Sequence, residues 1–161
     1  MRILVAYGSK RGGTAGLAQM IGKELTALGY QATVKPAGEV RALDDVDAAI
    51  IAGALYAGRW HRDARSLVRQ QADRLRGMPV WLVASGPLDD SAATREIPPV
   101  RHVAWAAARI GARGQVTFGG RLAPDATGFM AAAMAKKRSG DWRDLVQIKT
   151  WVGRVAESLN S

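Results

Sequence analysis

Apolar residues along this chain fall into two alternating patterns: short unbroken runs, and longer stripes at three- and four-residue spacing. Arg2 to Gly8 (RILVAYG) is a compact apolar run closed by glycine. A run without polar alternation predicts a parallel strand covered on both faces. Leu17, Ala18, Ile21, Leu25 and Leu28 then recur on one helical face, with Gln19, Lys23 and Glu24 off it, and Gly29 stands where a C-cap belongs. Gln31 to Lys35 predicts a short second strand stopped by Pro36, and Asp47 to Gly53 (DAAIIAG) a third, again ended by glycine. The cycle repeats. Ala64, Leu67, Val68, Gln71, Ala72 and Leu75 mark a second helix, and Met78 to Ser85 a fourth strand. Val100, Val103, Ala104, Ala107 and Ile110 mark a third helix closed by Gly111, and Gln115 to Gly119 a fifth strand. Leu145, Ile148, Trp151, Val152, Val155 and Leu159 make a final amphipathic helix. Residues Arg121 to Gly140 break the alternation and are expected to form an insertion with a short helix. Strands alternating with crossover helices must be parallel, so the pattern predicts an α/β doubly wound sheet in one domain over residues 1–161.

Composition narrows the chemistry. The chain has no cysteine, which excludes disulfides, thiolate metal sites and a cysteine nucleophile. Its two histidines, His61 and His102, are too few for a histidine-rich metal centre. No apolar stretch approaches the roughly 20 residues that cross a bilayer, and the N-terminus lacks a signal-peptide pattern. The expected location is the cytoplasm. The formal net charge is +9, which calls for an acidic partner: nucleic acid, an anionic membrane surface, an acidic protein or an anionic small molecule.

Open parallel sheets bind ligands beyond the carboxyl ends of their strands, where the strand order reverses. The loop after the first strand is Gly8-Ser9-Lys10-Arg11-Gly12-Gly13-Thr14. Its glycines let the backbone turn its amides toward an anion, Ser9 and Thr14 bring hydroxyls, Lys10 and Arg11 bring charge, and the helix that follows favours an anion at its start. It lacks the Lys and Ser/Thr of a Walker loop and the spacing of a dinucleotide fingerprint. It reads either as a phosphate cradle or as a capped glycine turn without ligand.

Ser9-x-Arg11-Gly12-x-Thr14 after the strand ILVAY resembles the phosphate loop of flavodoxins, with Arg11 where most carry Thr. It is closer to the menaquinone-dependent protoporphyrinogen oxidases of that superfamily. IIAGALYAGRWHRDARSLVRQQ and TGFMAAAMAKKRSGDWRDLVQIKTWV are similar to that family's third strand with its loop and to its insertion with the last helix. The resemblance implies a five-stranded sheet in the order 2-1-3-4-5 and FMN as cofactor. It implies flavin contacts from the second loop, Leu55, Tyr56, Ala57, Gly58 and Trp60, with Trp60 the candidate to stack on the ring. The alternative for Trp60 is core packing at the start of the helix. His61 is either a helix cap or a proton relay. The third loop, Ser85, Gly86, Pro87 and Leu88, would meet the flavin's pyrimidine edge. It has no aromatic, which leaves one flavin face open to a hydride donor.

The charge is uneven. Residues 57–80 carry +4 and residues 121–161 carry +3, including Lys136-Lys137-Arg138. Arg59, Arg62 and Lys136 are therefore candidate contacts for a substrate's propionates, for anionic lipid or for an acidic redox protein, whereas Arg65 and Arg69 can simply face solvent. No nucleic-acid motif accompanies the charge, and nucleic acid is not expected as a partner. Three functions fit: an FMN oxidoreductase resembling protoporphyrinogen oxidase with a quinone acceptor, a basic flavodoxin carrying electrons to an acidic protein, and a phosphate-binding scaffold without flavin.

Overall fold

The computed structural model describes residues 1–9, 13–56, 58–86, 98–119, 121–122, 140–141 and 145–161. Its strands are β1 (Arg2–Gly8), β2 (Gln31–Pro36), β3 (Ala48–Tyr56), β4 (Arg59–Trp60), β5 (Val80–Gly86), β6 (Gly114–Gly119), β7 (Arg121–Leu122) and β8 (Gly140–Asp141). Its helices are α1 (Gly13–Ala27), α2 (Arg62–Gln70), α3 (Ala72–Arg76), α4 (Arg101–Ile110) and α5 (Leu145–Leu159), with a 3-10 turn at Ala37–Glu39. Five strands pair in parallel in the order β2-β1-β3-β5-β6. That is the expected 2-1-3-4-5 arrangement once the two-residue β4, which folds back antiparallel on β3, is set aside. β7 and β8 pair with each other and bracket the segment where the sequence predicts an insertion; residues 123–139 lie outside the described residues.

Alternate side chains of each central strand feed two apolar cores. Leu4, Ala6, Ala49, Ile51, Leu82 and Ala84 pack under α2, α3 and α4. Ile3, Val5, Ile50, Ala52, Trp81, Val83 and Phe118 pack under α1 and α5. Both faces are dry, which is why β1, β3 and β5 read as continuous apolar runs. The edge strand β2 instead alternates exposed and half-buried residues.

Three sequence expectations are corrected. The second helix is two, because the chain leaves helical geometry at Gln71 (φ −111°, ψ 20°) before α3 begins. Leu28 lies past the end of α1 and is exposed. Gly53 does not end the third strand, which runs on to Tyr56. A Cβ on Gly53 would stand 2.5–2.9 Å from three atoms of the Trp60 indole, so this glycine makes room for a ring lying against the strand.

Candidate functional site

The carboxyl ends of the strands bring small residues side by side. Gly8 pairs with Gly53, Ala54 with Ser85, and Gly86 with Gly119. β3 alone overshoots this line, and its last two residues turn back through the hairpin in which Leu55 pairs with Trp60 and Tyr56 with Arg59. Gly58 stands in this turn at φ 74°, a conformation that disfavours a side chain. Leu55 then leans over β5: a Cβ on Gly86 would meet its Cδ1 at 3.0 Å.

Beside this hairpin, β1 passes into α1 through the glycine loop. Gly13 and Thr14 form the first turn of α1 and are buried; Thr14 is only 1 % exposed. A buried hydroxyl beside the free amides of a 15-residue helix suits an anion there, since those amides and the helix dipole both favour negative charge. The donor set thus fits a phosphate. Lys10, Arg11, Gly12 and Ala57 lie outside the described residues, as do Pro87, Leu88 and Lys136.

Of the two expectations for Trp60, stacking on a planar cofactor and core packing at the start of the helix, the ring's placement here matches core packing. Trp60 is 1 % exposed, packs in the core under α2 and α4, and donates from Nε1 to the carbonyl of Val83 at 3.1 Å. Burying the ring removes its apolar faces from water and satisfies its one polar atom, so the core is where its free energy is lowest. Tyr56 is half-buried at the hairpin tip, edge-on to His61 with ring centroids 6.2 Å apart.

His61 is the N-cap of α2: its Nδ1 accepts a hydrogen bond from the Asp63 amide at 3.1 Å. Its ring also abuts β1, where a Cβ on Gly8 would lie 2.7 Å from Nδ1. The cap reading thus holds, and with Nδ1 an acceptor, the neutral imidazole carries its proton on Nε2.

Sequence patterning missed a cluster around His102. Arg65 is not simply solvent-facing; it is half-buried and donates from Nε to the Trp60 carbonyl at 3.0 Å. α4 packs against β4 and α2, which sets His102 near Arg65 and Arg59. Burial first, then the charges of Arg65, Arg59 and Arg101, hold the His102 pKa below the usual histidine value. Adjacent Arg101-His102 at a helix start was the signal in the sequence. An unfolded chain therefore takes up more protons at His102 than the folded one. Stability should be intact above about pH 6.5 and fall as the pH drops below that toward the folded-state value. Thermal melts between pH 8 and pH 5 should show this loss in the wild type and less of it in His102→Gln; equal slopes would refute it.

Residues 4–139 match the flavodoxin domain family, more than half of the chain.

The chain belongs to the flavodoxin domain family.

Membership implies FMN as the cofactor of an electron-transfer fold, and flavodoxins hand electrons to redox protein partners. No curated protein matches the chain. Among solved structures, a mutant of flavodoxin from Pseudomonas aeruginosa is similar at TM-score 0.66 and 17 % identity, with 100 % of each chain covered. A flavodoxin from Streptococcus pneumonia TIGR4 is similar at TM-score 0.66 and 18 % identity, covering 98 % of this chain and 99 % of the other. Rubredoxin oxygen:oxidoreductase from Desulfovibrio gigas matches at TM-score 0.67 and 10 % identity, covering 99 % of this chain but 36 % of the other. At these identities the likeness is one of fold. Among the described residues, no helix of this flavodoxin domain is long and apolar enough to cross a membrane, and no histidine or carboxylate group clusters to hold a metal.

Proposed function

We propose that this flavodoxin domain is an FMN-dependent oxidoreductase that holds the cofactor phosphate at the start of α1 and the ring against the loops after β3 and β5. Ser9, Gly13 and Thr14, with Lys10, Arg11 and Gly12 between them, supply donors and charge. Leu55, Tyr56, Ala57 and Gly58 border the ring on one side, and Ser85, Gly86, Pro87 and Leu88 on the other. Bound FMN supplies the electron chemistry that a chain without cysteine has no side chain to perform.

The observation that carries the reading is the placing of Thr14, 1 % exposed, in the first turn of the 15-residue helix α1 directly after the glycine loop, where the helix start favours an anion. Thr14→Val keeps the shape and removes the hydroxyl. It should weaken FMN binding by about 1–3 kcal/mol, the value of a hydrogen bond to a charged group. Fluorescence titration with FMN checks this, and unchanged affinity would refute the cradle.

Withdrawal of Trp60 into the core favours an enzyme, because it leaves no indole from the second loop over the ring and so keeps a face open to a hydride donor. The donor we propose is a protoporphyrinogen, whose propionates would meet Arg59 and Arg62, with a quinone as acceptor and the basic surface, including Lys136, available to anionic lipid. The second reading, an electron carrier to an acidic protein, is favoured by arginines at the mouth that lack carboxylate partners among the described residues. Anaerobic mixing with protoporphyrinogen separates the two. Bleaching of the bound flavin's visible absorbance supports the enzyme; bleaching by dithionite alone supports the carrier. A colourless protein that takes up no FMN leaves only the scaffold.

A further inference from the structure

β2 ends the sheet on one side, where β1 is its neighbour in the ladder. The chain around it, from Gly13 to Tyr56, is described throughout. Residues 37–47, which link β2 to β3, hold a 3-10 turn and no helix. Ala32 and Val34 pack into the core under α1. Gln31, Thr33 and Lys35 are exposed on the other face, where they floor a cleft of about 330 Å³ walled by Val40 and Val46 and lined by no helix.

The backbone sets what the free edge of β2 offers. The Gln31 amide donates to the Met1 carbonyl at 3.2 Å, so Gln31 turns its backbone polar groups toward β1. These groups alternate sides along a strand. Gln31, Thr33 and Lys35 therefore bond inward, and Ala32, Val34 and Pro36 present theirs to the free edge. Proline has no N–H, so the outward donors are those of Ala32 and Val34. A second β2 laid antiparallel uses both donors in one register: Ala32 of each copy faces Val34 of the other, and Thr33 faces Thr33 across a two-fold axis. A shift that sets Val34 opposite Val34 brings Pro36 opposite Ala32 and loses a bond.

Charge favours the same register. At the amino-terminal end of the cleft, Asp44, Asp45 and Asp47 outnumber the cations they meet: Arg2 lies 3.4 Å from Asp45 and 3.7 Å from Asp47, and Arg74 lies 3.7 Å from Asp44. At the other end, Lys35 forms no ion pair among the described residues, and Glu39 and Arg41 in the link that follows offset each other in charge. An axis through Thr33 sets Lys35 of each copy across from Gln31 of the other, at the end with the excess of carboxylate. Threonine pairs and opposite charges across an antiparallel ladder are stabilising, whereas like charges directly opposite are not. We propose that β2 is a homodimer interface, at which two copies join their sheets edge to edge and antiparallel about an axis through Thr33. The axis reverses the strands, so the carboxyl-end loops of the two copies face opposite ways. This interface stands apart from the FMN reading.

Sedimentation velocity of the full chain from about 1 µM to about 1 mM tests the dimer, a range that covers weak and moderate association. Wild type should pass reversibly from monomer to dimer as concentration rises. Thr33→Lys sets two ammonium groups across the axis at an exposed position and should raise the dimer dissociation constant about tenfold or more. Disulfides read the register, because the chain has no cysteine of its own. Oxidation with diamide should cross-link Thr33→Cys, whose Cα atoms would stand about 4.5 Å apart in a non-hydrogen-bonded pair. Lys35→Cys by itself should stay uncrosslinked, its two copies being roughly 13 Å apart along the strands, but should join Gln31→Cys when the two variants are mixed. The cysteine variants decide if circular dichroism shows that Thr33→Lys fails to fold. Monomer at every concentration overturns the proposal and leaves the edge to an extended segment of another protein. A dimer that Thr33→Lys does not weaken overturns it too, as does cross-linking of Lys35→Cys as fast as that of Thr33→Cys.

Discussion

Replacing Trp60 by alanine should destabilise the protein by about 3–5 kcal/mol, the range for deleting a large buried aromatic. The indole is 1 % exposed, fills the space left by Gly53, and bonds to the Val83 carbonyl. Alanine leaves a cavity between β3, β5 and α2 and removes that donor. Urea unfolding of the flavin-free protein gives the loss of stability directly. Trp60→Phe should lose less, because a ring remains and only the hydrogen bond and part of the volume go. The FMN affinity of Trp60→Phe should stay within about threefold of wild type, since the ring contributes through packing and not through stacking. A large loss of FMN affinity at unchanged stability would return Trp60 to the cofactor.

Gly8→Ala should have the second largest effect, and on two properties at once. A methyl group there would sit 2.7 Å from His61 Nδ1, 3.0 Å from its Cγ and 3.3 Å from the Ala64 amide nitrogen. The last atom is backbone, so α2 itself must retreat from the end of β1. Overpacking of this kind costs about 1–3 kcal/mol. The displaced ring is also the N-cap of α2, worth about 1 kcal/mol in its own right. Because Gly8 leads directly into the cradle, FMN affinity should fall together with stability. His61→Ala added to Gly8→Ala opens space for the methyl, so the double variant should be more stable than additivity predicts by about 0.5–3 kcal/mol. Additive losses would mean that the two residues do not press on each other.

The fold was largely legible in the pattern of apolar residues. β1, β3 and β5 are covered on both faces, so their sequences carry no polar positions to confuse a reading, and each intervening stripe matches a helix. Errors came where one residue serves two elements. Gly53 reads as a strand terminus because glycine usually interrupts strands, but here a side chain seven residues later fills its missing Cβ. Gln71 continues the helical stripe while its backbone leaves helical geometry. Trp60 stands in a loop where an aromatic could serve a ligand or the core. Nothing local distinguishes the two, since the choice depends on Gly53 and on the Val83 carbonyl, both remote in sequence.

By itself, the sequence determined the parallel doubly wound sheet, the glycine loop ending in Thr14 and the excess of positive charge. These are properties of short segments, set by periodicity, turn chemistry and composition. The tertiary structure decided which groups compete for the same space and which charges have partners. It placed His61 as a cap between α2 and β1 and drew Trp60 into the core. It paired the arginines at one end of the sheet and left those at the other end facing outward. The physical reason is that burial and ion pairing depend on distances between elements, which no single stretch of chain contains.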